Sequence, residues 1–170
     1  MSKSILEFPP IFRTRKNHGL EHATIHVLAK KYPNVSLAGI SSPKGFAIIG
    51  NVPTEDVAEA AIEALKRLRA GETELAQHPN CGTNYVISGI FAGFGAWLGM
   101  VGVGKGFGKK TRRLPIMILL ATIALILTRR VGPMVQKEIT TSGDPGEMEL
   151  VRVETSLQTN LKIHYIVTKG

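Results

Sequence analysis

A chain of 170 residues has room for one compact domain plus a short membrane element, and a second full-sized domain would leave neither with an adequate core. The formal charge of +8 invites a nucleic-acid reading, but the densest run of Lys and Arg lies between two apolar segments, where membrane topology accounts for it; no nucleic-acid partner is expected. Cys81 is the single cysteine, which excludes a disulfide within the chain and leaves core packing, metal ligation or nucleophilic chemistry for its thiol.

Residues 1–17, with Pro9, Pro10, Arg13, Arg15 and Lys16, predict an extended basic lead-in against a membrane surface. The first thirty residues carry charges throughout and no continuous apolar stretch, so no cleavable secretory signal is expected. From Asn17 to about Lys31 the spacing of Leu20, Ile25, Val27 and Leu28 predicts a helix capped by Asn17 and stopped by Tyr32-Pro33-Asn34. Short apolar runs near 35–41 and 46–52, separated by Pro43-Lys44-Gly45, predict a hairpin closed by Pro53. Thr54 is placed to cap a second helix, with Glu55 and Asp56 at its positive end and Lys66, Arg67 and Arg69 at its negative end. Val57, Ala61, Ala64, Leu65 and Leu68 form its apolar stripe, and Gly71 ends it.

Residues 85–104 carry no charge, which at about 1.5 Å per residue spans the roughly 30 Å hydrocarbon core. Glycines at 89 and 93, and at 95 and 99, repeat the spacing that lets helix backbones approach in lipid, and this helix is the expected surface of any homo-oligomer. After Lys105, Lys109, Lys110, Arg112 and Arg113, residues 114–127 are again wholly apolar, though only about 21 Å long as a helix, and Gly132-Pro133 limits their extension. Two spans predict a helical hairpin in the bilayer with both termini on one side, taken as cytoplasmic. Beyond it, Val151, Val153, Thr155 and Leu157 alternate, answered by Leu161, Ile163, Tyr165 and Val167 across a turn at Thr159-Asn160. This second hairpin is expected to pair with the first, since an isolated pair is marginal in water.

The predicted architecture is therefore α+β. An aqueous unit over 1–83 (helix, hairpin, helix) precedes a transmembrane helical hairpin over 84–131, and the carboxy-terminal β-hairpin over 132–170 packs back on the aqueous unit.

Four of the five histidines fall in two clusters. In His18-Gly19-Leu20-Glu21-His22 the histidines are four apart, so their imidazoles project from one helix face close enough to share a tetrahedral ion. Glu21 between them completes the inverted zinc-hydrolase spacing, in which the glutamate deprotonates the attacking water. His26 lies about 12 Å along the axis from His18, too far for all three to bind one ion, so it is an outer partner of the ligands or a substitute for one of them. In His78-Pro79-Asn80-Cys81-Gly82-Thr83 the Pro and Gly impose a turn that can aim His78 and Cys81 together. His164 stands alone on a strand and reads as solvated surface.

In these two motifs the chain resembles a group of uncharacterised bacterial and cyanobacterial membrane-protein families, some of whose members are described as predicted metal-dependent enzymes. The resemblance covers about residues 17–130 and implies a metal role for His18, Glu21, His22, His78 and Cys81. The additional His26 and the carboxy-terminal hairpin depart from it. The expected function is a membrane-anchored zinc-dependent hydrolase, peptidase-like, with Glu21 as general base. The alternative is a scaffold or assembly factor with a closed structural zinc site made by His18, His22, His78 and Cys81.

Overall fold

The computed structural model of the protein describes residues 5–158 and 161–170, so the expected turn at Thr159-Asn160 lies outside the described residues. Helix α1 runs over Pro9–Lys31, strand β1 over Ala38–Ser42, β2 over Gly45–Ile49, and helix α2 over Thr54–Arg69. Helices α3 (Gly82–Met100), α4 (Phe107–Thr111) and α5 (Leu114–Val135) follow, then strands β3 (Glu149–Gln158) and β4 (Leu161–Lys169). Two compact units result: the chain up to His78 together with Lys137–Gly170, and Pro79–Gln136.

In the first unit α1 begins at Pro9, so the expected extended lead-in is helical from that residue on. Pro at the first helical positions gives up no intrahelical hydrogen bond and brings a φ already suited to the helix. Asn17 consequently lies inside the helix and is no cap; it is buried, donates through Nδ2 to the Ser42 carbonyl and accepts from Thr168 Oγ1 through Oδ1. At α2 the cap position is Pro53, one residue before the expected Thr54, whose hydroxyl pairs with that of Thr155 instead.

The four strands form one antiparallel sheet in the order β1-β2-β4-β3, so the two hairpins join through β2 and β4. Leu20, Ala23 and Leu28 of α1 and Val57, Ala61, Ala64 and Leu68 of α2 share a core with Phe46, Ile48 and Ile166 of the sheet. The register decides which face of β4 is inside. Ile166 stands opposite Phe46 and His164 opposite Ile48, so the inner face carries His164, Ile166 and Thr168, while Ile163, Tyr165 and Val167 point the other way. This reverses the expectation for β4, and His164 is fully buried where solvated surface was expected. A strand read alone cannot tell its two faces apart when both alternate; its neighbour settles the matter.

In the second unit α3 and α5 lie side by side. A Cβ on Gly95 would stand 2.7 Å from the Leu120 carbonyl oxygen, and one on Gly99 would stand 3.0 Å from the Met117 Cα, so these two glycines set the approach. Nothing lies within 4 Å of a Cβ built on Gly89 or Gly93. Ser88 and Thr128 hydroxyls meet at 3.0 Å across the pair. Helix α5 continues past Gly132-Pro133 to Val135 and passes into a π-helical turn over Gln136–Thr140, so that motif is no stop. Among the described residues only Leu114–Thr140 is long and apolar enough by itself to cross a membrane, and the two-span expectation reduces to one such helix.

Candidate metal centre

The first unit lays two chain segments along the histidine-bearing side of α1. The crossing of residues 140–142 is close because position 19 is glycine: a Cβ there would stand 2.1 Å from the Ser142 carbonyl oxygen. The Ser142 amide donates to the Arg15 carbonyl at 3.0 Å, which fixes the crossing. It brings the Thr140 carbonyl to 2.9 Å from His18 Nδ1. The second segment, the 3-10 turn Thr73–Ala76 and its continuation, runs past the next two turns of the helix. The Ala76 carbonyl lies 2.8 Å from His22 Nδ1, and the Gln77 carbonyl 2.7 Å from His26 Nε2.

These contacts define proton positions. A carbonyl oxygen only accepts, so in a neutral ring it draws the proton to the nitrogen it faces. His18 and His22 therefore carry it on Nδ1 and present Nε2 as the lone-pair donor, which is the arrangement of metal-binding imidazoles whose other nitrogen is held by backbone or carboxylate. His26 is the reverse, with Nε2 as the donor to Gln77. The four rings form a continuous row: His18 to His22 at 4.4 Å between centroids, His22 to His78 at 5.8 Å, and His26 to His78 at 5.0 Å.

Within the first unit His18 and His22 stand side by side, and His78 adjoins His22; Cys81, which the sequence motif joins to them, belongs to the second unit. His22 and Cys81 are buried, at 2% and 6% exposure. The structure thus brings His18, His22, His26 and His78 of the two sequence motifs into one row within the first unit.

Glu21 points to the sheet. It is 3% exposed, accepts a hydrogen bond from Ser41 Oγ at 2.5 Å, and closes so tightly on β1 that a Cβ at Gly39 would lie 2.2 Å from its Oε1. Sequence reasoning did not identify the Thr140 and Ala76 carbonyls, Ser41 or Gly39 as supports. One signal was available: a glycine inside a helix costs about 1 kcal/mol relative to alanine, so Gly19 between two predicted ligands asks for a close neighbour.

A family described as "Domain of unknown function (DUF6391)" matches residues 13–153. An uncharacterized protein of Picosynechococcus sp. is 39% identical over 110 residues, which cover 55% of this chain and 54% of the relative, so the chain spans about half the length of that curated protein. No solved structure matches the chain.

Proposed function

The chain belongs to the DUF6391 family, whose description assigns no reaction, and from its own side chains we propose a membrane-anchored protein built around one zinc-type metal centre. His18, His22 and His78, which share one row of rings, are three of the ligands, and Cys81, three residues after His78 in the same sequence motif, is the fourth. The observation that carries this reading is the pair of Nδ1 contacts to the Thr140 and Ala76 carbonyls, which orient both Nε2 lone pairs. Imidazole and thiolate together suit Zn2+ and disfavour Mg2+ and Ca2+, which take oxygen ligands.

A four-member His and Cys sphere is of the closed, structural kind, appropriate to a scaffold or assembly factor. The engagement of Glu21 with Ser41 and Gly39 favours that form, because the carboxylate then anchors α1 to the sheet. The second reading is a metallohydrolase. It draws on the His18-x-x-Glu21-His22 spacing, and it requires Glu21 to leave Ser41 and turn to a metal-bound water as general base.

Anchoring comes from Leu114–Thr140, whose 27 residues reach about 40 Å at 1.5 Å per residue. Helix α3 accompanies it into the bilayer in this proposal: it packs on α5 through Gly95 and Gly99 and turns Ile90, Phe94 and Trp97 outward. The test is metal analysis of the detergent-purified full chain. One zinc-class ion per chain is expected, lost in His22→Ala and Cys81→Ser; wild-type protein without stoichiometric metal would sink the proposal. Cobalt substitution then separates the two forms: an absorption spectrum unmoved by azide means a closed sphere, and one that shifts means an open position.

A further inference from the structure

The turn Ile5–Glu7 and the first turns of α1 present three large apolar side chains outward: Ile5 at 75% exposure, Phe8 at 59% and Phe12 at 38%. Ile5 lies in the short 3-10 turn, Phe8 is the extended residue that precedes α1, and Phe12 is in the helix itself. Basic residues follow immediately, Arg13 beside Phe12 and Lys16 one turn on, with the Lys16 ammonium 4.5 Å from the centre of the Phe12 ring. Glu7 is the one acidic residue between positions 5 and 20. The order is an apolar tip and then a cationic collar, about 6 Å apart along the axis from Phe12 to Lys16.

This end of α1 is also tied to the exit of the apolar helix. The Arg15 guanidinium donates to the carbonyls of Glu138, at 2.9 Å, and Thr141, at 3.2 Å, and Glu138 lies in the last turns of Leu114–Thr140. We propose that the start of α1 docks on an anionic bilayer surface, with Ile5, Phe8 and Phe12 at the boundary between headgroups and acyl chains and with Arg13 and Lys16 on lipid phosphates. The charge sign and the bond to the end of the span select this occupant. The inference rests on the membrane reading of Leu114–Thr140 and is independent of the metal centre.

The experiment uses the full chain reconstituted in vesicles, with Trp97→Phe removing the native tryptophan and Phe8→Trp or Phe12→Trp supplying the probe. In phosphatidylglycerol-containing vesicles both probes are expected to emit in the blue and to be quenched most by lipids brominated near the headgroup. Pure phosphatidylcholine, or Arg13→Gln with Lys16→Gln, should reduce that quenching severalfold. Quenching no greater than at Ile62→Trp on exposed α2 overturns the proposal, as does blue emission that brominated lipid leaves untouched, the signature of a second protein copy on the patch. Extraction by alkaline carbonate, read separately, reports on the span: a chain that stays in the bilayer while both probes remain unquenched loses the docking and keeps the anchor.

Discussion

Two sides of helix α1 handle their polar groups in opposite ways. On the side turned to the sheet, Asn17 is bonded to Ser42 and Thr168, Glu21 to Ser41, and Thr24 to the Leu20 carbonyl. On the other side, His18 and His22 give Nδ1 to the Thr140 and Ala76 carbonyls, which leaves Nε2 as the lone-pair nitrogen of each neutral ring. The first side uses its polar groups to hold the sheet; the second fixes the tautomer of its rings. Burial alone does not separate the two, since Asn17 at 1% exposure and His22 at 2% are equally inaccessible. What separates them is which atoms the neighbours occupy.

The sharpest way to break this contrast is Gly19→Ala, because its Cβ meets a backbone carbonyl that cannot rotate away. Overpacking of this kind costs up to about 3 kcal/mol, and the displaced 140–142 segment takes the Thr140 carbonyl from His18. Urea denaturation should show the loss and metal analysis a reduced content; a variant with native stability and full metal would mean that the crossing does not position the ligand. Next comes Asn17→Ala, which strands the buried Thr168 hydroxyl and Ser42 carbonyl at a cost of about 2 kcal/mol while leaving the histidine side intact. Its metal content should match that of the wild type, and a parallel loss would merge the two sides into one.

The smallest effect concerns His164, buried under the same helices. Burial pushes its pKa below the usual imidazole range, opposed by a hydrogen bond with the Gly50 backbone and assisted by the Lys162 charge. A histidine whose folded pKa is lowered contributes stability that is present above its unfolded pKa of about 6.5 and is lost as pH falls below it. Stability of metal-depleted protein should therefore decline between pH 7 and pH 5, and His164→Leu should flatten that part of the profile. An unchanged slope in the variant would assign the decline to other groups.

Much of this was legible before any coordinates. The α+β composition, both hairpins, the stop at Tyr32 and the apolar stretch after Leu114 follow from local periodicity and turn residues. The adjacency of His18 and His22 on one face of α1 likewise followed from their spacing. The miss at Asn17 has a definite cause: Asn is a good cap and a good buried anchor, and only the Thr168 and Ser42 partners tell which. His164 was misjudged for a related reason, since the alternation of β4 offers two faces of similar polarity and β2 chooses between them through Phe46 and Ile48.

By itself the sequence determined which imidazole and thiol side chains were present and that His18 and His22 share a helix face, because a 3.6-residue repeat is fixed by covalent geometry. The tertiary structure alone decided which ring nitrogen carries the proton and that Glu21 turns toward Ser41. The carbonyls that settle the tautomers stand 122 and 54 positions from the rings they orient, and no local pattern encodes a contact at that separation.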